Sequence, residues 1–307
     1  MLRFPETLPA RPLAAYRVVL GLVAVVRALA LTANPYLGNR AHPLYGWVPA
    51  FPVPVYTGVG LVMLVAAVLL VLGVAARPAA LTVGLCVFAE MWGAGYYGNG
   101  AYLLAVMAIL LSFSRCDAAF ALRGRPADEV WAPPVLLLRA QISIVYLYAA
   151  VGKLNQDYLV GNALAGDAGV LVPTGLLVFP LVAVLAIGAV LLELFVAAAL
   201  WVRRLRPVAI VLGLLLHLSM IAWIADGPLA VVELGCFAAT TAGGYLLFVD
   251  RLPRGCLVDL QPAREAPGGA PRRSRQRRSN PGIGPSSALR AIHLEPRRLG
   301  IDPPDTP

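Results

Sequence analysis

The sequence predicts an all-α fold, a polytopic transmembrane helix bundle of about eight spans with both termini in the cytoplasm. Three observations predict it: too little charge to clothe a water-facing surface, apolar runs of membrane-spanning length, and arginines that fall on alternate loops. Only 13% of residues are Asp, Glu, Lys or Arg and 59% are hydrophobic, with a mean hydropathy of +0.76. A soluble domain carries about 25% charged residues, so lipid is the solvent for most of this chain.

Apolar runs long enough to cross a hydrocarbon core of about 30 Å occur at residues 14–33, 55–76, 79–95, 100–115, 134–153, 174–200, 206–225 and 229–249. The first is interrupted by Arg17 and Arg27 and is too long for a signal-peptide core, so it reads as a retained helix. The third and fourth are short. Pro78, Pro133, Pro134, Pro173 and Pro207 fall at or beside starts, where a missing N–H costs a helix little. Pro180 falls inside the sixth run and is a candidate kink.

Loop charge tests this count independently, because translocation disfavours moving arginine and lysine across the bilayer. Arg3 and Arg11, Arg77, Arg115, Arg123 and Arg125, Arg203, Arg204 and Arg206, and Arg251 and Arg254 all fall on one side of an eight-span bundle. The other side has only Arg40 and Lys153, with Asp157, Asp167 and Asp226. One helix added or dropped would invert every later loop.

The organisation expected is a cytoplasmic N-terminus over 1–13, a membrane domain over 14–250 and a basic, disordered cytoplasmic tail over 251–307. From about Gln261 the composition turns to Pro, Gly, Ser and Arg, including Arg272, Arg273, Arg275, Arg277 and Arg278, too polar to build a core. Lipid or RNA binding is the other reading of that run. The net charge of +9 is concentrated in these loops and the tail. It therefore points to orientation and to membrane lipids as partners, and no nucleic acid is expected. Cys86, Cys116, Cys236 and Cys256 have neither CxxC nor metal-ligand spacing, so neither a disulfide nor a metal site is expected.

Ionisable residues inside spans are informative, since each costs about 2.5–3.5 kcal/mol at mid-bilayer. Lys153, the single lysine of the chain, ends the fifth run. An ammonium can lose its proton when desolvated and a guanidinium effectively cannot, so Lys153 is a candidate base or Schiff-base nucleophile, or else a snorkelling anchor. His217 lies near the middle of the seventh run, as a proton shuttle, a head-group contact or a bond to a neighbouring helix. Glu90, Glu193, Glu233 and Asp226 supply acidic partners, and Glu90, Asp226 and Glu233 fall in the same outer half as Lys153. Arg139 and Gln141 lie nearer the cytoplasmic half of the fifth run, where Arg139 reads as a packing residue. The stretch Trp92 to Tyr102 interleaves aromatics with glycine and asparagine, as belt anchors or as the cap of an apolar cavity; His42 with Tyr45 and Trp47 has the same two readings. No P-loop, Rossmann glycine pattern, HExxH or GxSxG stands in a fitting context, which weighs against nucleotide-driven transport and the familiar hydrolases.

The stretch Leu138 to Gly161, with Arg139, Gln141, Ile144, Val145, Tyr146, Lys153, Leu154, Asp157 and Gly161, resembles the corresponding segment of vitamin K-dependent γ-carboxylase and its relatives, the HTTM membrane-domain proteins. Asn99–Tyr102, Ser112–Phe113 and Leu216–His217 are similar in the same order, so the resemblance covers about residues 14–250. It implies that Lys153 is the base that deprotonates a menaquinone or vitamin K-type quinol, with His217 as proton shuttle or head-group contact. Asn99, Tyr102, Gln141, Tyr146, Asp157 and Glu233 would line the quinone pocket. Two departures bear on the chemistry. Gly100 follows Asn99 where the carboxylase has a histidine, and no room is left for the large lumenal domain that handles its peptide, so full carboxylation is not expected. The bacterial SdpB-type proteins resemble this size class and imply a different role, as a non-catalytic membrane partner in maturing or exporting a secreted peptide. A small-solute transporter is a third class; it would show paired broken helices, which the sequence lacks.

Overall fold

A computed structural model describes residues 5–33, 52–94, 98–169, 172–173, 175 and 177–250. The described chain is a helical bundle. Its long helices are α1 (Ala10–Ala33), α2 (Val53–Leu72), α3 (Ala76–Ala94), α4 (Asn99–Ser112), α5 (Ala132–Gly152), α8 (Leu181–Ala199), α9 (Arg206–Ile224) and α10 (Pro228–Gly244), the last extended by a 3-10 turn, Tyr245–Phe248. Two short helices, α6 (Gln156–Leu159) and α7 (Asn162–Gly166), lie between α5 and α8. Six of the long helices, α1, α2, α5, α8, α9 and α10 with its extension, have the length and apolar composition to cross a membrane. Between these six, α3 carries Arg77 and Glu90, and α4 is only 14 residues, about 21 Å.

Two boundaries differ from the sequence expectation. The sixth long helix, α8, begins at Leu181, later than the apolar run; Pro180 is its N-cap and so starts the helix rather than kinking it. The first helix begins at Ala10, because strand β1 (Thr7–Pro9) pairs antiparallel with β2 (Glu129–Trp131) in the register Thr7↔Trp131, Leu8↔Val130, Pro9↔Glu129. Residues 7–13 thus belong to the body of the bundle.

Burial sorts the helices by position. In α1, 56% of the most apolar stretch is buried and in α9 only 17%, so α1 is central and α9 peripheral. The outward residues of α8 and α9 include Val184, Ile187, Leu191, Val211, Leu215 and Leu218, all exposed. Such a continuous apolar surface is costly in water and neutral against acyl chains.

One end of the bundle is basic, and buried arginines knit it together. Arg17 is fully buried on α1 and donates to the carbonyls of Val71 (3.4 Å), Cys116 (3.3 Å) and Phe120. Arg77 donates to Ser114 O at 2.9 Å. Arg139 donates to Leu247 O at 2.7 Å and lies 5.4 Å over the Phe248 ring, which makes it the packing residue expected. Arg206 donates to the carbonyls of Leu200 (3.1 Å) and Phe248 and to Asp250. At this end the last carbonyls of one helix lack intrahelical partners, and the guanidinium forks satisfy them. Cys86, Cys116 and Cys236 are free thiols.

Candidate functional site

The buried face of α5 is the stripe Leu138, Ile142, Tyr146, Ala150, one residue per turn, and Lys153 follows as the C-cap on the same face. On α8 the buried stripe Val182, Ala186, Val190 continues into Glu193 and Val196, so a carboxylate occupies a core position of an apolar helix. A hydrogen bond from Trp201 Nε1 to Ser143 Oγ at 2.7 Å sets the antiparallel register of these two helices. Eight residues back from Trp201 is Glu193, and eight forward from Ser143 is Val151, so Lys153 and Glu193 come level. They form an ion pair, with 29% of the lysine side chain and 7% of the glutamate exposed. The ammonium also lies 5.7 Å over the ring of Tyr158, on the short helix that Asn155 caps. Burial, then the charges of Glu193 and Asp167, push the Tyr158 phenol up to about 12, so it stays protonated at neutral pH.

His217 ends a stripe of its own on α9, Ala209, Gly213, His217, and is 4% exposed. Its Nε2 lies 2.8 Å from the Tyr146 hydroxyl, which is hydrogen-bonded in turn to the Tyr245 hydroxyl. The Phe237 ring of α10 packs edge-on against the imidazole, with centroids 5.5 Å apart. Tyr146 is also within electrostatic reach of Glu193. The Lys153–Glu193 pair and the His217–Tyr146–Tyr245 chain thus share the buried face of α5, with Tyr146 and Lys153 two turns, about 10 Å, apart along it, and together they make the polar interior of an apolar bundle. Two of its buried atoms, Glu193 Oε2 and His217 Nδ1, have no hydrogen-bond partner among the described residues. Counted from Arg206 at the basic end, His217 lies eleven residues along α9, about 16 Å, well inside the apolar layer.

Gly213 makes the tyrosine pair possible. A Cβ there would overlap the Tyr245 hydroxyl and lie 3.4 Å from that of Tyr146. Gly213→Ala is expected to cost about 1–3 kcal/mol through forced repacking and to break the hydroxyl chain. Gly188→Ala on α8, where a Cβ meets nothing within 4 Å, is expected to be neutral or slightly stabilising. Unfolding of the two variants in mixed micelles checks the contrast.

The other residues expected at the site are distributed more widely. Asn99 and Tyr102 stand at the start of α4, both exposed; Tyr102 packs edge-on against Phe88 at 6.0 Å. Between them Gly100 lies against α10, where a Cβ would stand 3.1 Å from Phe237 Cβ. Gln141 is half-buried, five residues before Tyr146 and so about 140° around α5 from it. Asp157 is exposed on α6. Glu233 is exposed on α10, within electrostatic reach of Arg27. Arg27 forms a bidentate pair with Glu90, at 2.9 and 2.7 Å, so a second charged cluster takes up Glu90 and Glu233 while Glu193 pairs with Lys153. His42, Tyr45, Trp47, Tyr96, Tyr97 and the basic tail lie outside the described residues.

Glu193 figured in the sequence only as one acidic residue among four; its place on the apolar stripe of α8 was the available signal. Tyr245, Phe237 and Gly213 gave no signal of their own, because an aromatic or a glycine in an apolar run is indistinguishable from ordinary packing.

The fold and this cluster define a multi-pass helical membrane protein with a charged, partly unsatisfied site in its interior. The model of one family, the HTTM domain, matches residues 7–225, and the chain belongs to that family. The match includes Tyr146, Lys153, Glu193 and His217 and stops short of α10, which supplies Phe237 and Tyr245. No curated protein and no solved structure matches the chain.

Proposed function

We propose that this HTTM protein handles a lipid-soluble quinol of the menaquinone or vitamin K type at the Lys153–His217 cluster, with Lys153 as the base. In this reading α3 and α4 complete eight crossings of the cell membrane, the basic end faces the cytoplasm and the site opens toward the outer half. The observation that carries it is the pairing of a partly exposed lysine with a core glutamate, beside a histidine that has one nitrogen unused. A water-excluding ring arriving over Lys153 would penalise the separated charges of the pair more than a neutral pair. The ammonium proton then passes to Glu193, and the free amine accepts the hydroxyl proton of the quinol. Exchange along the His217–Tyr146 bond offers a second place for a proton. With molecular oxygen as oxidant, quinol becomes quinone epoxide and water, which balances without a further reductant. The site also suits a peptide-modifying role if the base so formed acts on a secreted chain.

The test is menaquinol-4 and oxygen supplied to the purified protein in nanodiscs, with epoxide measured. Wild type is expected to turn over, and Lys153→Arg, which keeps the charge but not the titratable proton, is expected to lose about 10²–10⁴-fold. Equal turnover in wild type, Lys153→Arg and Lys153→Ala removes the base. No turnover in wild type removes the quinol reading in favour of a non-catalytic partner in maturation or export of a secreted peptide.

A further inference from the structure

His217, Tyr146 and Tyr245 share two hydrogen bonds, and proton accounting decides their direction. If Tyr245 donates to Tyr146 and Tyr146 donates to Nε2, both phenolic protons are used and a single polar group is left over, the N–H at Nδ1. If the chain runs the other way, the Tyr245 proton has no acceptor and the Nδ1 lone pair is idle as well, leaving two buried groups unsatisfied. Acid strength argues the same way. A phenol is a far stronger acid than a neutral imidazole N–H, and an imidazole nitrogen is a better acceptor than a phenol oxygen.

We infer that the Tyr245–Tyr146 chain holds His217 as its Nδ1–H tautomer, so that the imidazole presents one buried donor to a carbonyl-type acceptor oxygen on an apolar ring. The inference rests on the quinol reading for the identity of that ring. The relay itself stands on geometry alone: His217 is 4% exposed, its Nδ1 has no partner among the described residues, and Gly213 keeps the space that lets both tyrosine hydroxyls meet. Tyr245, in the 3-10 extension of α10, lies beyond the residues matched by the family model, so this orienting device includes a residue outside that match. Tyr146 and Tyr245 are positioning residues, acting through His217. The hydrogen bond to Nε2 makes that nitrogen an acceptor already in use, which leaves Nδ1 as the group facing a ligand.

The chain has three histidines, His42, His217 and His293. Nitrogen-15 NMR of the histidine-labelled full-length protein in nanodiscs can therefore be assigned with one variant, His217→Asn. The expected result is a protonated Nδ1 and an unprotonated Nε2 on His217, with the tautomers mixed in both Tyr146→Phe and Tyr245→Phe. Titration with menaquinone-4 is expected to shift the Nδ1–H signal. His217→Asn, whose amide N–H falls near the place of Nδ1, is expected to bind menaquinone within about threefold of wild type, and His217→Gln, with its donor nearer Nε2, about tenfold or more weaker. A protonated Nε2 in wild type overturns the inference. So does an Nδ1–H tautomer that both phenylalanine variants leave unchanged, because the tyrosines then hold nothing. If menaquinone leaves the signal still while menaquinol is epoxidised, Nδ1–H meets water only and the ligand contact is overturned. If there is neither shift nor turnover, the quinol reading falls and the relay is judged on the tautomer alone.

Discussion

Replacing Lys153 with methionine is expected to destabilise the bundle by about 3–5 kcal/mol, because Glu193, 7% exposed, is left buried without its cation. The lysine itself is 29% exposed and reaches the rim of the cluster, so most of the cost falls on the glutamate. Two companion variants separate charge from packing. Glu193→Gln keeps an acceptor for the lysine and is expected to cost less. The double change Lys153→Met with Glu193→Leu removes both charges and is expected to recover most of the loss, since an apolar pair of similar volume often replaces a buried ion pair at little cost. Unfolding of all three, and of Glu193→Leu alone to close the cycle, in mixed micelles gives the coupling energy of the pair. All three are expected to be inactive toward menaquinol. Stability recovered without activity is the signature of a pair retained for chemistry. Full stability in the lysine variant alone would mean that Glu193 is not held as a carboxylate.

Arg17→Met is expected to be nearly as damaging, at the opposite level of the bundle. The guanidinium is fully buried and serves carbonyls from the end of α2 and from the loop after α4, and each carbonyl left without a donor costs about 1–3 kcal/mol. Arg17→Lys is expected to rescue poorly, because an ammonium cannot span several carbonyls in the plane of a fork. Gly73, at φ +69°, closes α2 against this arginine; a Cβ there would overlap both the guanidinium and Ala121. Cys116 reports the state of this end. Burial pushes its thiol up to about 11 against the opposing pull of Arg17, and the side chain is inaccessible. In a background with Cys116 as the single cysteine, maleimide is expected to label wild type slowly and Arg17→Met quickly. Equal rates would show that Arg17 does not close this end.

Much of the architecture was legible because membrane insertion imposes a length. Each of the eight apolar runs corresponds to a long helix, with most boundaries within a few residues. The exceptions have local causes: pairing of Thr7–Pro9 with Glu129–Trp131 draws the first helix back to Ala10, and Pro180 starts α8 instead of lying inside it. The site was legible one helix at a time. Tyr146 and Lys153, seven residues apart, had to share a face of α5, and the single lysine stood out among arginines. What periodicity does not give is the rotation and axial level of one helix against another. Which of the acidic residues meets Lys153 depends on the α5–α8 register set by Trp201 and Ser143. Which hydroxyl meets His217 depends on Gly213 admitting Tyr245. Glu90 and Glu233 fall toward the same end of the bundle as Lys153, yet Glu90 pairs with Arg27 and Glu233 lies within its electrostatic reach, because α1 carries its own charge into that layer.

The central claim is that one buried cluster joins a titratable amine to an oriented imidazole for an oxygen-bearing ring. A cryo-EM structure of the protein in lipid nanodiscs with menaquinone tests it most directly. The expected density places the quinone ring against Phe237, with oxygens within hydrogen-bonding distance of Lys153 Nζ and His217 Nδ1 and with Glu193 still beside the lysine. Quinone bound elsewhere, or Lys153 turned away from Glu193 into lipid, would contradict it.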